Sequence, residues 1–432
     1  MSKFQIIILS LFVIFIIIGV VSFAMYKGGA SSSVQLPAIT IWGTFPSDTF
    51  NQYVSNINNS SSVSLSINYK QIDPSAFSSQ FISALARGSG PDAILIPADM
   101  LYQHEDKLAL IPYSALPSRT YLDTYIQESN IYTNSAGILA IPFTVDPLVM
   151  YWNRDMFNTA GVATYPRYWD EFTGLNKQLT VKDQNGNIRK SAIALGDFTN
   201  VVNAREILGS LFLQLGNPIT TFNDQGALQS TIRVSAKASP KLALDFFTQF
   251  VDPTNPNYSW NRGMPDSKTA FLSGNLATYF GFASELKSIR DKNPNLNFDV
   301  AQLPQVRTGG IKSEYGRMFG FSIVRSTTNA NGVYQIISTL TQPAYIADLS
   351  KTMYLPPVRT DLIAQGSSDP YISIFDNAAL VSKTWFDPDP VQSNALFGNM
   401  VESITTGQQS SFQAIEDTGL KYDSLINQVS SQ

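Results

Sequence analysis

The chain of 432 residues has no cysteine and a single histidine. The first absence removes disulfides, thiolate nucleophiles, cysteine-ligated zinc and a lipidated N-terminal cysteine together. The second leaves no histidine pair and no serine triad to build on. His104 lies in the polar stretch Gln-His-Glu-Asp-Lys and is expected at the solvated surface. There is no G-x-S-x-G elbow and no Gly-rich phosphate loop with its lysine. Ser284 and Lys287 satisfy Ser-x-x-Lys, but the companion motifs are missing, so the pair is read as helix surface. The closest acidic pairs, Asp387 with Asp389 and Asp170 with Glu171, are local. A glycosidase needs two carboxylates facing each other across a cleft, and Asp170 with Glu171 suits the positive end of a helix instead. A calcium loop on Asp183, Asn185 and Asn187 fails on position: Gly186 falls fourth rather than sixth, and residue 194 is alanine where a glutamate is required. No catalysis, cofactor or metal is therefore expected. Charge is also sparse, with 29 Lys and Arg against 33 Asp and Glu and no basic run, so no nucleic-acid partner is expected.

What is present begins at the N-terminus. Residues 4–25 carry no charge and are rich in Ile, Val, Phe and Leu. A helix needs about 20 such residues to cross a bilayer core, and this run lacks the polar stripe of a core helix. It reads as a membrane-spanning segment. Ser22 and Ala24 offer a peptidase site, but the run exceeds the roughly 7–15 residues of a signal-peptide core, so an uncleaved anchor over 1–27 is favoured. Lys3 and Lys27 flank it evenly; the free N-terminus and the acidic body favour the body outside. Residues 28–37, rich in Gly and Ser, read as a flexible linker. The remaining 395 or so residues suit two domains. Aromatic residues reach 12%, including 19 Tyr; many are expected in the core, and any surplus would serve as stacking platforms for a ligand.

The body opens on alternating residues 38–42, then a Gly-containing loop and a helix over 48–56 with Asp48 as its cap. A strand is expected over 63–69. A helix over 75–86 places Phe77, Phe81 and Leu85 on one face. The short apolar run 91–97 is the pattern of a parallel strand buried on both faces. Strand and helix alternate, which is an α/β wound sheet with its ligand site at the strand ends. Two successive strands are expected over 137–146 and 148–152. The Asn185-Gly186 dipeptide predicts a type I′ hairpin turn within 181–190.

One segment is recognisable. Pro142, Tyr151, Asn153, Asp155, Phe157, Ala160, Gly161, Pro166 and the Trp-Asp-Glu-Phe run from Trp169 to Phe172 stand in register with a motif of family 1 extracellular solute-binding proteins of ABC importers. The chain resembles this maltose-binding-like group again at 269–281, at 297–304, over 319–341 and at 354–359. The resemblance covers about residues 38–425. It implies an α/β, type II periplasmic-binding-protein-like fold: two discontinuous lobes joined by crossings near 143–147, 278–281 and 316–322. The first lobe would be 38–144 with 282–318, the second 145–281 with 319–432.

By the same resemblance the chain would be a monomeric extracytoplasmic subunit. It would hold a small polar solute, a sugar or oligosaccharide, between its lobes and deliver it to permease subunits in the membrane. A sensory ectodomain without an importer is the alternative, and a glycan-active enzyme the more distant one. The residues expected to face the cleft are Trp42, Thr44, Phe45, Asp99, Phe143, Asp146, Tyr279, Phe282, Tyr315, Arg317, Tyr354 and Trp385. About half of these should prove to be packing. Where the family often carries Gly-Pro-Trp, this chain has Gly281, Phe282 and Ala283, so Phe282 stands in for the expected platform.

Overall fold

A computed structural model describes residues 36–61, 63–233 and 240–430; the expected membrane span and nearly all of the expected linker lie outside the described residues. No helix among the described residues is long and apolar enough to cross a membrane.

The chain begins as its alternation predicts. Strand β1 (Ile39–Gly43) buries every second residue. Helix α1 (Ser47–Ser60) follows, then β2 (Ile67–Gln71), α2 (Pro74–Ala86) and the wholly buried β3 (Ala93–Pro97). β1 pairs in parallel with β2 and β3 on its two sides. Two boundaries differ from expectation. Pro46, not Asp48, occupies the cap of α1, and Asp48 sits in the first turn, where a carboxylate still favours the helix dipole. The second strand starts four residues late, because Asn58 takes both backbone groups of Leu65 and holds the chain off the sheet there.

The centre of the molecule is one strand where two were expected. β4 (Ile141–Asn153) runs unbroken for 13 residues. Proline has no N–H to give a sheet, yet β4 carries both Pro142 and Pro147. Pro147 stands where the partners of β4 change. Up to Pro147, β4 pairs with β8 (Glu314–Val324). From Leu148 onward it pairs with β6 (Leu276–Phe282) on one side. From Val149 it pairs with β7 (Phe298–Gln302) on the other. β5 (Ile188–Ile193) adds to β6 in parallel. The result is an 11-stranded sheet in which β4 and β8 belong to both halves.

These pairings redistribute the chain relative to expectation. Phe298–Gln302, placed above in the first lobe, pairs with Val149–Asn153 beside β6. Phe319–Ile323, placed in the second, pairs with Ala93–Pro97 of the first. The later helices divide too. Tyr53 of α1 donates its hydroxyl to the Leu340 carbonyl, and Thr360 caps the Thr124 carbonyl at 3.1 Å. Helix α3 (Ala204–Gln214) lies against β8. α4 (Pro370–Ala379) lies on β4 and β7. α5 (Pro390–Thr405) and α6 (Ser411–Ser430) pack on each other and on the helix Pro240–Thr248.

Two local expectations are corrected. In the 181–190 hairpin Gly186 has φ of 80° while Asn185 keeps a negative φ. The Gly186 amide closes on the Asp183 carbonyl at 3.0 Å. That is a type I turn followed by a left-handed glycine, not a type I′ turn. The Asp183 carboxylate organises it, accepting from the Asn185 and Asn187 amides at 2.9 Å each and from Arg189 at 2.7 Å.

The second correction concerns His104, which is fully buried rather than solvated. Its ring packs edge-on to Phe81 with 5.1 Å between centroids, and Nε2 lies 3.2 Å from the Ser78 hydroxyl. The 3-10 turn Tyr102–Lys107 folds it onto α2. Burial drives its pKa down to about 4, helped by the charge of Lys107. The unfolded imidazole takes up a proton near pH 6.5 that the buried one refuses until about pH 4, so stability falls as acid is added across that window, by roughly 3 kcal/mol in full. His104→Phe, which keeps the ring, should flatten this limb in chemical denaturation run from pH 7 to 4. An unchanged slope would exclude His104 as its source.

Candidate functional site

Where the two halves of the sheet meet, a charged cluster is closed off from solvent. Arg205, the second residue of α3, is only 5% exposed. One guanidinium nitrogen lies 3.4 Å from Asp99, just past the end of β3 in the other half. The second nitrogen is hydrogen-bonded to Asp387, which is fully buried. Glu206 stands 3.4 Å from the first nitrogen. The Tyr315 hydroxyl of β8 donates to the same Asp99 oxygen at 3.2 Å. Asp387 is fixed from behind by the Ser393 hydroxyl and by the Asp389 amide at 3.0 Å. Burial opposes the charge of Arg205, but Asp387 and then Asp99 outweigh it and hold its pKa well above the usual guanidinium range. Burial raises Asp387, with Arg205 acting against it. Arg205 Nε finds no partner among the described residues, so the cluster retains an unused donor.

Aromatic faces line the same space. Arg205 lies over Trp385 at 5.0 Å. Tyr315 contacts Trp385 at 5.2 Å and Phe282 at 6.1 Å between centroids. Arg317 covers the Phe282 ring at 3.9 Å. Trp385 can reach this place because α3 has a glycine beneath it: a Cβ on Gly209 would stand 2.7 Å from the tip of the indole.

Asp146 and Arg317 face each other across β4 and β8. The Asp146 carboxylate is held by Ser284, whose amide donates at 2.9 Å and whose hydroxyl donates at 2.6 Å. Burial pushes its pKa up to about 6, against the pull of Arg317 and of the two Ser284 donors. Ser284, read from the sequence as helix surface, is thus the partner of a buried acid.

Of the twelve residues expected at a cleft, Asp99, Asp146, Phe282, Tyr315, Arg317 and Trp385 come together here. Phe45 and Phe143 instead belong to a ring cluster in the first half, 5.5 Å apart and joined by Phe319 and Phe321. Tyr279 is in the core of the other half, its hydroxyl bound to Glu285 at 2.9 Å and its ring beside Tyr151. Trp42 is half-buried on β1 under the Lys70 ammonium at 4.2 Å. The Thr44 hydroxyl lacks a partner among the described residues. Tyr354 ends the helix Pro343–Met353 in a left-handed conformation and makes none of the cluster's contacts.

Sequence reasoning missed Arg205, Asp387 and Glu128. Glu128 packs under Gly316 with both oxygens buried and unpartnered among the described residues. Burial, and then the charge of Asp99, keep its pKa well above the carboxylate range.

Residues 52–373, about three quarters of the chain, match the bacterial extracellular solute-binding protein family. The chain belongs to that family. Its fold agrees: a cyclic alpha-maltosyl-1,6-maltose binding protein from Arthrobacter globiformis superposes with a TM-score of 0.73 at 16% identity, covering 91% of this chain and 99% of that one. A cyclo/maltodextrin-binding protein complexed with maltotetraose gives 0.70 at 14% identity, covering 91% and 96%. Among curated proteins, a putative binding protein of Brucella abortus (strain 2308) is 21% identical over 319 residues, 71% of each chain. The two halves are therefore the two lobes of an α/β solute-binding fold, and the family is one of binding proteins outside the cytoplasm.

Proposed function

We propose that this solute-binding protein captures a sugar or oligosaccharide between its lobes and hands it to an ABC permease, held to the membrane by the apolar segment at residues 4–25. The observation that carries the reading is the Arg205 cluster. Charged hydrogen-bonding groups from both lobes converge on it, flanked by the faces of Trp385, Tyr315 and Phe282. Flat apolar faces beside a few placed polar groups suit a sugar ring, and sites of this kind are concave and largely preformed. The cluster is closed, so a ligand enters when the lobes part about the β4 and β8 crossings. Ligand contacts to both lobes then favour closure by their differential affinity for the closed state.

The lobes we assign are about 38–147 with 319–363, and 148–313 with 370–430, following the strand pairings. The candidate ligand contacts are Asp99, Arg205, Phe282, Tyr315, Arg317 and Trp385, with Asp146 and Asp387 orienting the two arginines. A tether would raise the local concentration of the binder at its permease.

The reading is tested by thermal shift of the full-length chain in detergent against millimolar neutral sugars, peptides and polyamines. A sugar-specific rise in the melting temperature is expected. Shifts confined to peptides or polyamines would refute the sugar assignment, and no shift with any class would refute solute binding itself. Uptake of the bound sugar into vesicles carrying the permease, absent with permease alone, separates an importer subunit from a sensory ectodomain.

A further inference from the structure

Glu128 is the second residue of the 3-10 turn Gln127–Tyr132, in the first lobe. That turn packs on the short strand Ser382–Lys383 of the second lobe. The strand runs parallel to the start of β8, with Glu314 opposite Ser382 and Tyr315 opposite Lys383. Gly316 of β8 makes room for the acid: a Cβ there would stand 2.7 Å from a Glu128 oxygen and 2.6 Å from the Ser382 hydroxyl. The carboxyl thus fills a seam between the lobes at a crossing strand, in a residue only 6% exposed.

Among the described residues nothing in this seam answers a negative charge, and both carboxyl oxygens lack a hydrogen-bond partner. The Ser382 hydroxyl donates to the Ala378 carbonyl at 3.2 Å instead. The Tyr132 hydroxyl of the same turn donates to the Met318 carbonyl at 2.9 Å, and the Tyr315 hydroxyl donates to Asp99 at 3.2 Å. The cations on the surrounding elements are engaged elsewhere or stand apart. Arg205 of α3 is held by Asp99 and Asp387, Arg317 of β8 lies over Phe282 opposite Asp146, and Lys383 forms no bond to Glu128. Asp99, past the end of β3, adds a second negative charge. A lone ionised carboxylate is far costlier to enclose than a neutral one, so this acid holds a proton or has to reach water.

We infer that the lobes close on a protonated Glu128 and that parting them lets the carboxyl ionise, so that external pH sets the balance between closed and open forms. The inference rests on the lobe movement proposed above. Parting draws the turn off Ser382–Lys383 and brings water to the carboxyl, which then titrates in the ordinary glutamate range. In the closed form burial, and then Asp99, hold its pKa well above that range. Closure therefore takes up one proton at any pH between the two values. The closed form is fully favoured below this window and loses ground as the pH rises through it, by about tenfold in the closed-to-open ratio per pH unit. Solute affinity falls in step, because the solute binds the closed form.

The absence of cysteine makes paired labelling direct. Ile82→Cys and Val391→Cys place nitroxide labels at exposed positions on facing walls of the groove between the lobes, Val391 standing beside Gln392. Electron spin resonance then reads the distance between the labels in the full-length chain in detergent, without solute, from about pH 5 to about pH 8. The longer distance should gain population as the pH rises. Glu128→Gln, and Glu128→Met as a second neutral variant, should keep the low-pH population throughout. Glu314→Gln should follow the parent, since that buried acid faces Leu303 and Lys312 of its own lobe. Populations that ignore pH, or that respond alike in the parent and both Glu128 variants, would overturn the proton linkage and leave the sugar reading to its thermal-shift test. Populations that follow pH through Glu128, with no solute found by thermal shift, would uphold the linkage and sink the sugar reading instead.

Discussion

Arg205→Met is expected to destabilise the protein by about 3–5 kcal/mol, because it leaves Asp99 and Asp387 buried without their counter-charge. Among the described residues neither acid is paired with another cation. Asp387 is fully buried and retains only the Ser393 hydroxyl and the Asp389 amide. Asp99 retains the Tyr315 hydroxyl and the more distant charge of Arg317. A pair of this kind gains little over well-packed apolar residues, but breaking one side strands the other. The double variant Arg205→Met with Asp387→Leu should therefore recover much of the loss, and the remainder should vanish once Asp99→Asn is added. Chemical denaturation of the four proteins measures this. Equal destabilisation by the single and the multiple variants would mean that packing, not charge, dominates at the site. Ligand affinity should fall in every variant lacking Arg205, recovered stability notwithstanding, which separates its binding role from its structural one.

Trp385→Ala is expected to cost about 3–5 kcal/mol and to abolish ligand binding. The indole is 3% exposed and fills the space between Gly209 of α3, the Tyr315 ring and the Arg205 guanidinium. Its removal opens a cavity that rigid neighbours cannot close, and takes away a face on which a ring could lie. Trp385→Phe should keep most of the stability and lose part of the affinity, since the smaller ring covers less apolar area. Retained affinity in Trp385→Ala would show that the ligand does not touch this face.

The local elements were readable because their patterns are one-dimensional. The alternation over β1 and the apolar run of β3 need no knowledge of partners. The lobe boundaries were not readable in this way. Whether 298–302 and 319–323 join one half or the other depends on which stretch of β4 each meets, and pairing partners leave no mark on a strand's own sequence. Two strands were expected on either side of Pro147. In the structure it sits where β4 changes partners, so a missing N–H costs little.

Asp146 and Arg317 were singled out because a charge at an expected buried crossing needs company, and they lie opposite each other across β4 and β8. Arg205 carries the same signal, a cation in an otherwise buried helix of 11 residues, but no helix was expected over 204–214 to put it in that context. Asp387 was taken with Asp389 as a local acidic pair. The fold separates the two, sending one into the cluster and leaving the other to cap α5. Ring positions were the least legible. Phe143 and Phe282 both lie near strand crossings, yet one fills the first lobe's core and the other lies under Arg317 beside Tyr315.

The proposed sugar site lies between the lobes at the Arg205 cluster. The most direct measurement is a crystal structure of the protein grown with the sugar giving the largest thermal shift. Ligand density is expected between the lobes, within hydrogen-bonding distance of Arg205 or Asp99 and in contact with Trp385. Density for that sugar elsewhere, with the Asp99–Arg205–Asp387 contacts intact and no ligand beside them, would contradict it.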